Sequence, residues 1–535
     1  MSYETITLGK LLEKRTAEYG DKIYLLYAKQ EYSYKTMNEK VNQVANALLR
    51  AGVKKGMPVN MHLGNCPEFI FTVFAVAKIG AVLTPSNLAL TTKREVGYVI
   101  NHCEAVISIT EPLFLDLIKS VKPECANLKK IIVIGGDKAD NEITTWDDFI
   151  QGASTTLNVK DDLSPDDVVI NMYTSGTTAM PKGVMLSHQN IISAGHSWMW
   201  MVGFTSKDRT MSGWPLFHAN CLFFSCIGSM IFGGSFALLD KLSPNTYLAS
   251  AREYNATHFN FTSPAMAIML NQPEDPSDPI NPVRIISGPG GPPELVERWV
   301  KRYQIESVTL YNLTECALAT GTPISGPHPI KYGSIGWAMP SLPYPTEVRV
   351  VDEKGNDTPV GVVGEIIVKG PALTRGYFKD PEKTAETIRD GWLYTGDGGY
   401  RDEDGCFWFT DRLKDMIKPK GENVASIEVE TIIAGHPKVA DVGVIGVLDP
   451  VFGEEIKASI VLVEGETAET VDPKELVKWC QEHLAKFKVP RFWEYRDTPI
   501  PRILGGAKIS KKDMRKEKED PTAGCYDAKA KKWNK

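Results

Sequence analysis

At 535 residues the chain is too long for one hydrophobic core, since cores stop growing at roughly 250–300 residues, and more than one domain is expected. A hydrophobic fraction of 43% and a charged fraction of 24% describe an ordinary globular protein, and a formal net charge of −6 argues against a nucleic-acid binder, whose footprint is a basic face. Nine cysteines without close pairs of metal-ligand spacing, and nine histidines without zinc-type clustering, read as reduced thiols in a cytoplasmic protein.

The first residues, Met1-Ser2-Tyr3-Glu4-Thr5, carry neither a basic n-region nor an apolar h-region, so no signal peptide is read there. Helical periodicity runs from Leu8 to Tyr19 and from Thr36 to Ala51, and Glu68 to Ile79 reads as a nearly all-apolar helix. Lys130 to Ile134 and Val168 to Met172 are short β-branched runs. Such alternation predicts an α/β fold with mostly parallel sheets covered on both faces. From Trp214 to Leu239 only His218 is ionisable, a stretch longer than the ~20 residues that span a bilayer. Gly233-Gly234 interrupts it and Phe236-Ala237-Leu238-Leu239 resumes as a strand, so a buried helix, turn and strand are expected and no membrane span.

After about Pro340 the pattern turns β-rich. Glu347 to Val351 and Glu365 to Val368 flank the turn Glu353-Lys354-Gly355-Asn356, which predicts a small β-barrel subdomain. Val442 to Val447 and Ala458 to Val463 precede a helix over Lys474 to Phe487, a small α+β domain. Residues 508–535 carry ten Lys/Arg against five Asp/Glu, and the last dozen read as a mobile tail with Trp533 docking it.

The most informative segment is Tyr173-Thr174-Ser175-Gly176-Thr177-Thr178-Ala179-Met180-Pro181-Lys182-Gly183. Directly after an apolar strand it gathers four aliphatic hydroxyls, two glycines and a lysine, which surround a polyanion with N–H groups, hydroxyl donors and a fixed cation. It is not a Walker loop: Pro181 precedes Lys182 and Gly183 follows it, where that pattern needs Gly-Lys and then Ser or Thr.

This loop resembles the signature of the adenylate-forming superfamily, which holds acyl-CoA synthetases, luciferases and peptide-synthetase adenylation domains. Ala179 stands where that signature usually has glycine. Further segments follow in the superfamily's order: Ser287-Gly288-Pro289-Gly290-Gly291-Pro292-Pro293, Tyr311-Asn312-Leu313-Thr314-Glu315, Tyr394-Thr395-Gly396-Asp397, Asp411-Arg412-Leu413-Lys414-Asp415, and Pro501-Arg502 with Gly506-Ala507-Lys508-Ile509-Ser510-Lys511. Asn312 replaces a glycine, and one extra residue precedes Lys508. Asn65 to Phe71, Met416-Ile417-Lys418, Gly421 to Val424 and Ala485 to Pro490 resemble the crotonobetaine/carnitine–CoA ligase branch.

The resemblance implies a large N-terminal domain over residues 1–411, with two mostly parallel sheets and the small barrel, and a mobile C-terminal lid over 412–535 hinged near Lys414. It assigns Thr174, Ser175, Gly176, Thr177, Thr178 and Lys182 to the phosphates of ATP. Gly290, Gly291 and Pro292 would wall the adenine, with Tyr311 and Asn312 beside it, Asp397 on the ribose and Arg412 on the nucleotide. Thr314 would touch the α-phosphate and Glu315 would bind Mg²⁺; Lys508 would be the catalytic lysine, with Lys511 as its fallback. Trp214 and His218 would line the acyl pocket, and Lys420, Gly421 and Glu422 would meet coenzyme A.

The implied activity is a two-step acid–thiol ligase that makes an acyl-adenylate from a carboxylate and ATP, then passes the acyl group to coenzyme A. A short- or medium-chain acid is expected. An enzyme loading a separate carrier protein, a luciferase-like oxygenase and a non-catalytic nucleotide binder remain open, as does a homodimer.

Overall fold

Strands that are apolar on both faces need cover on both sides, and this chain supplies it by alternating them with helices. The computed structural model describes residues 6–136, 143–159, 162–174, 180–289, 291–339, 344–419, 424–449, 453–503 and 508–534. By the density of its contacts the chain divides into two units. One comprises Met1–Arg349, Ile367–Tyr394 and Asp404–Phe407; the other comprises Val350–Ile366, Thr395–Glu403 and Trp408–Lys535.

Among the described residues the first unit carries two large sheets. In the seven-stranded sheet, the strands Ile143–Thr145, Lys130–Val133, Ile107–Thr110, Pro58–His62, Val82–Pro85 and Val168–Thr174 run parallel in that order. Lys182–Ser187 closes the edge antiparallel to Val168–Thr174. The nine-stranded sheet has a parallel centre of Glu306–Tyr311, Ile285–Pro289, His258–Asn260, Arg209–Ser212, Ser235–Leu238 and Ile23–Tyr27. Antiparallel strands finish both of its edges. The β-rich region is a five-stranded sheet built from Glu347–Val351, Gly364–Lys369, Ile388–Arg389, Trp392–Arg401 and Phe407–Arg412.

The helices follow their sequence cues. Leu8–Tyr19 forms as expected, and the next helix begins at Tyr34 rather than Thr36 because the Ser33 hydroxyl caps it by accepting from the Thr36 N–H. Pro67–Ile79 starts on a proline, ends at Gly80 with φ of +69°, and is buried almost all round. Its one buried charge, Lys78, is satisfied by Glu13 Oε1, Asn38 Oδ1 and Asn42 Oδ1 at 2.7, 2.7 and 2.9 Å. The apolar stretch after His218 is a buried π-helix, Asn220–Ile227, continued by Gly228–Ile231, a turn and the strand Ser235–Leu238. Among the described residues no helix is long and apolar enough to cross a membrane.

In the second unit the long strands Val439–Asp449 and Gly453–Leu462 pair antiparallel, and Phe492–Tyr495 joins parallel to the latter. Helices Ser426–Ala434 and Pro473–His483 cover this sheet over a core that includes Val429, Ile433, Leu476, Cys480 and Trp493. The chain end is paired rather than loose, and Trp533 docks it as expected. Tyr526–Asp527 and Lys532–Trp533 add two strands to the sheet, and the Trp533 ring rests 5.7 Å from that of Tyr526. Arg491 fastens the addition through an ion pair to Asp527 at 3.0 Å. Aromatic packing and this pairing outweigh the repulsion among the lysines.

Candidate active site

The hydroxyl-rich loop joins two antiparallel strands, with Thr174 opposite Lys182 and Tyr173 opposite Gly183. Ser175, Gly176, Thr177 and Thr178 lie outside the described residues. A Walker loop leads into a helix; this one returns as a strand, which places Lys182 at the hairpin mouth rather than on a helix end. A Cβ at Gly183 would sit 2.5 Å from Asn171 Oδ1, so a larger residue there would displace that side chain. Below the loop, Tyr173 shares a 2.7 Å hydrogen bond with His102 Nδ1, so helix Lys93–His102 buttresses the strand end.

A further segment flanks the return strand. The Met185 N–H donates to the Gly376 carbonyl at 2.9 Å and the Phe378 N–H donates to the Gly183 carbonyl at 2.8 Å. This sets the Tyr377 ring against Lys182, whose Nζ lies 5.5 Å from the ring centroid. The Tyr377 hydroxyl donates to Glu315 Oε1 at 2.8 Å, and the Thr374 N–H donates to the Glu315 carbonyl at 2.8 Å. The hairpin lysine and the Glu315 carboxylate therefore flank one tyrosine. Burial, reinforced by Glu315, pushes the Tyr377 phenol far above its ordinary range, so it stays a donor. Sequence reasoning missed Tyr377, which follows Gly376 at φ of +111°. Cys316 is fully buried, and burial pushes its thiol up to about 12.

Tyr311 ends the strand Glu306–Tyr311 and is buried; Asn312, Thr314 and Glu315 follow on the loop, each partly exposed. In the neighbouring strand Ile285–Pro289, a Cβ at Gly288 would lie 1.7 Å from the Phe261 carbonyl oxygen, so only glycine fits. Gly291 is buried and Pro292 precedes helix Pro293–Tyr303. Gly290 lies outside the described residues.

The expected acyl-side residues sit on one pinned turn. Asn65 Nδ2 donates to the Trp214 carbonyl at 3.0 Å while its Oδ1 accepts from the Leu216 N–H at 2.8 Å. The Trp214 indole donates to the Asn260 carbonyl at 3.1 Å. His218 Nδ1 accepts from the Asn220 N–H at 3.2 Å, which leaves the proton on Nε2. His218 is exposed at the surface of this turn, and desolvation by the surrounding protein lowers its pKa. A neutral donor results. Asn260 Nδ2 donates to Asn220 Oδ1 at 3.1 Å and Ser287 Oγ donates to Asn260 Oδ1 at 3.2 Å. Asn260 thus ties the Trp214–Asn220 turn to the Ser287-Gly288 strand. Neither Asn65 nor Asn260 was singled out from sequence for this role.

In the second unit, Asp397 is buried and pairs with Arg412, Nε to Oδ1 at 3.1 Å. Gly396, at φ of +71°, turns the strand so that its carbonyl accepts from the Leu413 N–H at 2.9 Å. Lys414 follows, exposed, its pKa lowered by desolvation and by the Arg412 and Arg515 charges against opposing carboxylates. The Lys508 backbone pairs with Ile503 in a two-stranded hairpin. Lys511, the fallback for the catalytic lysine, is buried among Ser426, Glu430 and Asp411. Lys420, Gly421 and Glu422 lie outside the described residues. Among the described residues no cluster of three or more His, Cys, Asp or Glu gathers to hold a metal.

The chain is similar to known proteins over most of its length. The AMP-binding enzyme family matches residues 12–378, and the AMP-binding enzyme C-terminal domain matches residues 428–502. The crotonobetaine/carnitine–CoA ligase of Salmonella agona (strain SL483) is 35% identical over 523 residues, covering 95% of this chain and 98% of its own. The anthranilate CoA ligase AuaEII in complex with anthranoyl-AMP superposes with a TM-score of 0.86 at 26% identity, over 96% of this chain and 97% of its own. ATP-bound MatB from Rhodopseudomonas palustris gives a TM-score of 0.84 at 28% identity, over 96% of this chain and 99% of its own.

Proposed function

This chain belongs to the AMP-binding enzyme family, and on that premise we propose that it is an ATP-dependent ligase joining a carboxylic acid to the thiol of coenzyme A. The observation that carries the reading is the hairpin from Thr174 to Lys182 with the Lys182–Tyr377–Glu315 line beside it. The relatives named as CoA ligases favour coenzyme A over a carrier protein as acceptor.

In the first step a carboxylate oxygen attacks the α-phosphorus of ATP, the bond to pyrophosphate breaks, and an acyl-adenylate forms. Two anions meet, so positive potential at the phosphorus is required. Lys182 and the hydroxyl loop hold the outgoing phosphates, Thr314 the α-phosphate, Tyr311 the adenine and Asp397 the ribose. Lys508 supplies charge at the pentacoordinate centre, where one well-placed donor is typically worth ~10²–10³ in rate. Glu315 is a hard oxygen ligand suited to Mg²⁺, a cation that is held by one or two carboxylates plus nucleotide phosphates, and the Tyr377 hydroxyl fixes its orientation. Bound there, Mg²⁺ would neutralise phosphate charge.

In the second step the coenzyme A thiol, its proton lost to solvent, attacks the acyl carbon and AMP departs. Lys508 has no role in that step, and rotation of the backbone at Lys414 withdraws it; Lys420, Gly421 and Glu422 are assigned to coenzyme A. The acid is placed beside Trp214 and His218, and a short or medium carboxylate is proposed. Incubating the protein with ATP, coenzyme A and a panel of carboxylates tests the reading. AMP and pyrophosphate in step with one acyl-CoA are expected; ADP and orthophosphate would overturn it.

A further inference from the structure

We infer that Lys511 is a positioning residue: with Arg515 it clamps the hairpin bearing Lys508 onto the turn that carries Arg412 and Lys414. The inference rests on the roles proposed above for Lys508 and Lys414.

The hairpin is short, pairing Arg502 with Ile509 and Ile503 with Lys508, and so small a unit has little stability of its own. Helix Lys511–Lys516 follows it immediately after Ser510, whose N–H donates to the Pro501 carbonyl at 2.7 Å. Lys511 and Arg515 are four apart on this helix and share a face. Both reach the segment that begins at Asp411. Lys511 Nζ donates to the Ser426 hydroxyl, and that hydroxyl donates on to Asp411 Oδ2. The same ammonium lies 3.3 Å from Glu430 Oε1 and 3.8 Å from Asp411 Oδ2. Asp411 Oδ1 accepts from the Arg412 N–H at 2.7 Å, which holds the first residue of the turn. Four residues on, Arg515 Nη1 pairs with Asp415 Oδ1 at 3.1 Å. One helix face thus grips the turn on either side of Lys414.

The burial of this cluster carries the argument. Asp411 is 3% and Lys511 10% exposed by side chain, and Glu430 is kept nearly as dry. Burial raises the Glu430 pKa in spite of Lys511. A buried ion cluster is poor value as stabilisation, since apolar packing of similar volume often does as well; its attested use is to select one arrangement over others. Here the arrangement selected contains a strand whose backbone bears Lys508 three residues before the clamp.

The test uses the full-length protein and follows two rates, carboxylate-dependent ATP–pyrophosphate exchange and acyl-CoA formation from supplied acyl-adenylate. Lys511→Met and Arg515→Gln should each slow exchange ten-fold or more with the KM for ATP unchanged, and Lys511→Arg should recover part of the loss. In a Lys508→Ala background neither substitution should slow the residual rate further, because the clamp acts only through Lys508. Arg515→Gln, at a partly exposed site, serves if Lys511→Met does not fold. Wild-type exchange in both variants, or an equal loss in the Lys508→Ala background, overturns the clamp. Should Lys508→Ala itself exchange normally, the catalytic assignment falls instead, and the two failures are distinct.

Discussion

Tyr377 donates its phenolic hydrogen to Glu315 Oε1 at 2.8 Å across a sequence separation of 62 residues. The same ring faces Lys182, so the tyrosine stands between that cation and the Glu315 carboxylate, the two groups proposed for phosphate and Mg²⁺. Removing the hydroxyl while keeping the ring isolates its contribution. Hydrogen bonds to charged groups are worth about 1.5–3 kcal/mol, so Tyr377→Phe should slow adenylation roughly 10–100-fold and raise the Mg²⁺ concentration needed for half-maximal exchange. Pyrophosphate exchange across an Mg²⁺ series decides it, and an unchanged Mg²⁺ midpoint would count against the Glu315 assignment.

Lys508→Ala should lower adenylation by ~10²–10³ and leave thioester formation from supplied acyl-adenylate near the wild-type rate. Rapid-quench measurement of both half-reactions checks this. Equal damage to the two would remove Lys508 from the adenylation step.

Gly288→Ala should prevent folding or cost more than about 4 kcal/mol, because the added methyl would lie 1.7 Å from the Phe261 carbonyl oxygen, which is held by the sheet. Denaturant unfolding, or the soluble yield at low temperature, measures it. A variant that melts with the wild type would show that this strand can shift without penalty.

Glu494 accepts from Lys518 at 2.6 Å, Ser459 at 2.7 Å and Lys457 at 2.9 Å. Burial pushes its carboxyl up, but these partners outweigh burial and hold it at about 2 against an ordinary 4.5. Because the folded value is the lower one, its stabilisation is complete above pH 4.5 and fades as pH falls toward 2. Thermal midpoints taken from pH 6 to pH 2.5 should fall less steeply for Glu494→Gln than for the wild type, from a lower start. Parallel slopes would contradict the pairing.

Much of this molecule was legible from residue order. Helix Leu8–Tyr19 and strand Val168–Thr174 sit where periodicity and β-branching put them, and the apolar stretch after Trp214 breaks at Gly233-Gly234 as expected. The tail was misread because its lysines are visible in sequence and its pairing partners, Phe492 and Trp493, are more than 30 residues away. Asn65 went unassigned for the same reason: its partners, Trp214 and Leu216, come from another part of the chain.

Sequence by itself determined which chemical groups this protein owns and the short-range geometry around them, since loop composition, glycine placement and strand character act over a few residues. Tertiary structure alone decided which lysine is buried and which tyrosine meets Glu315. Lys511 and Lys508 look alike on paper, but only the fold buries the first among Asp411, Ser426 and Glu430. Tyr377 gains its place only when strand Lys182–Ser187 and the loop after Tyr311 converge on it. Desolvation and hydrogen-bond partnership are set by neighbours in space, and those neighbours exist only once the sheets have formed.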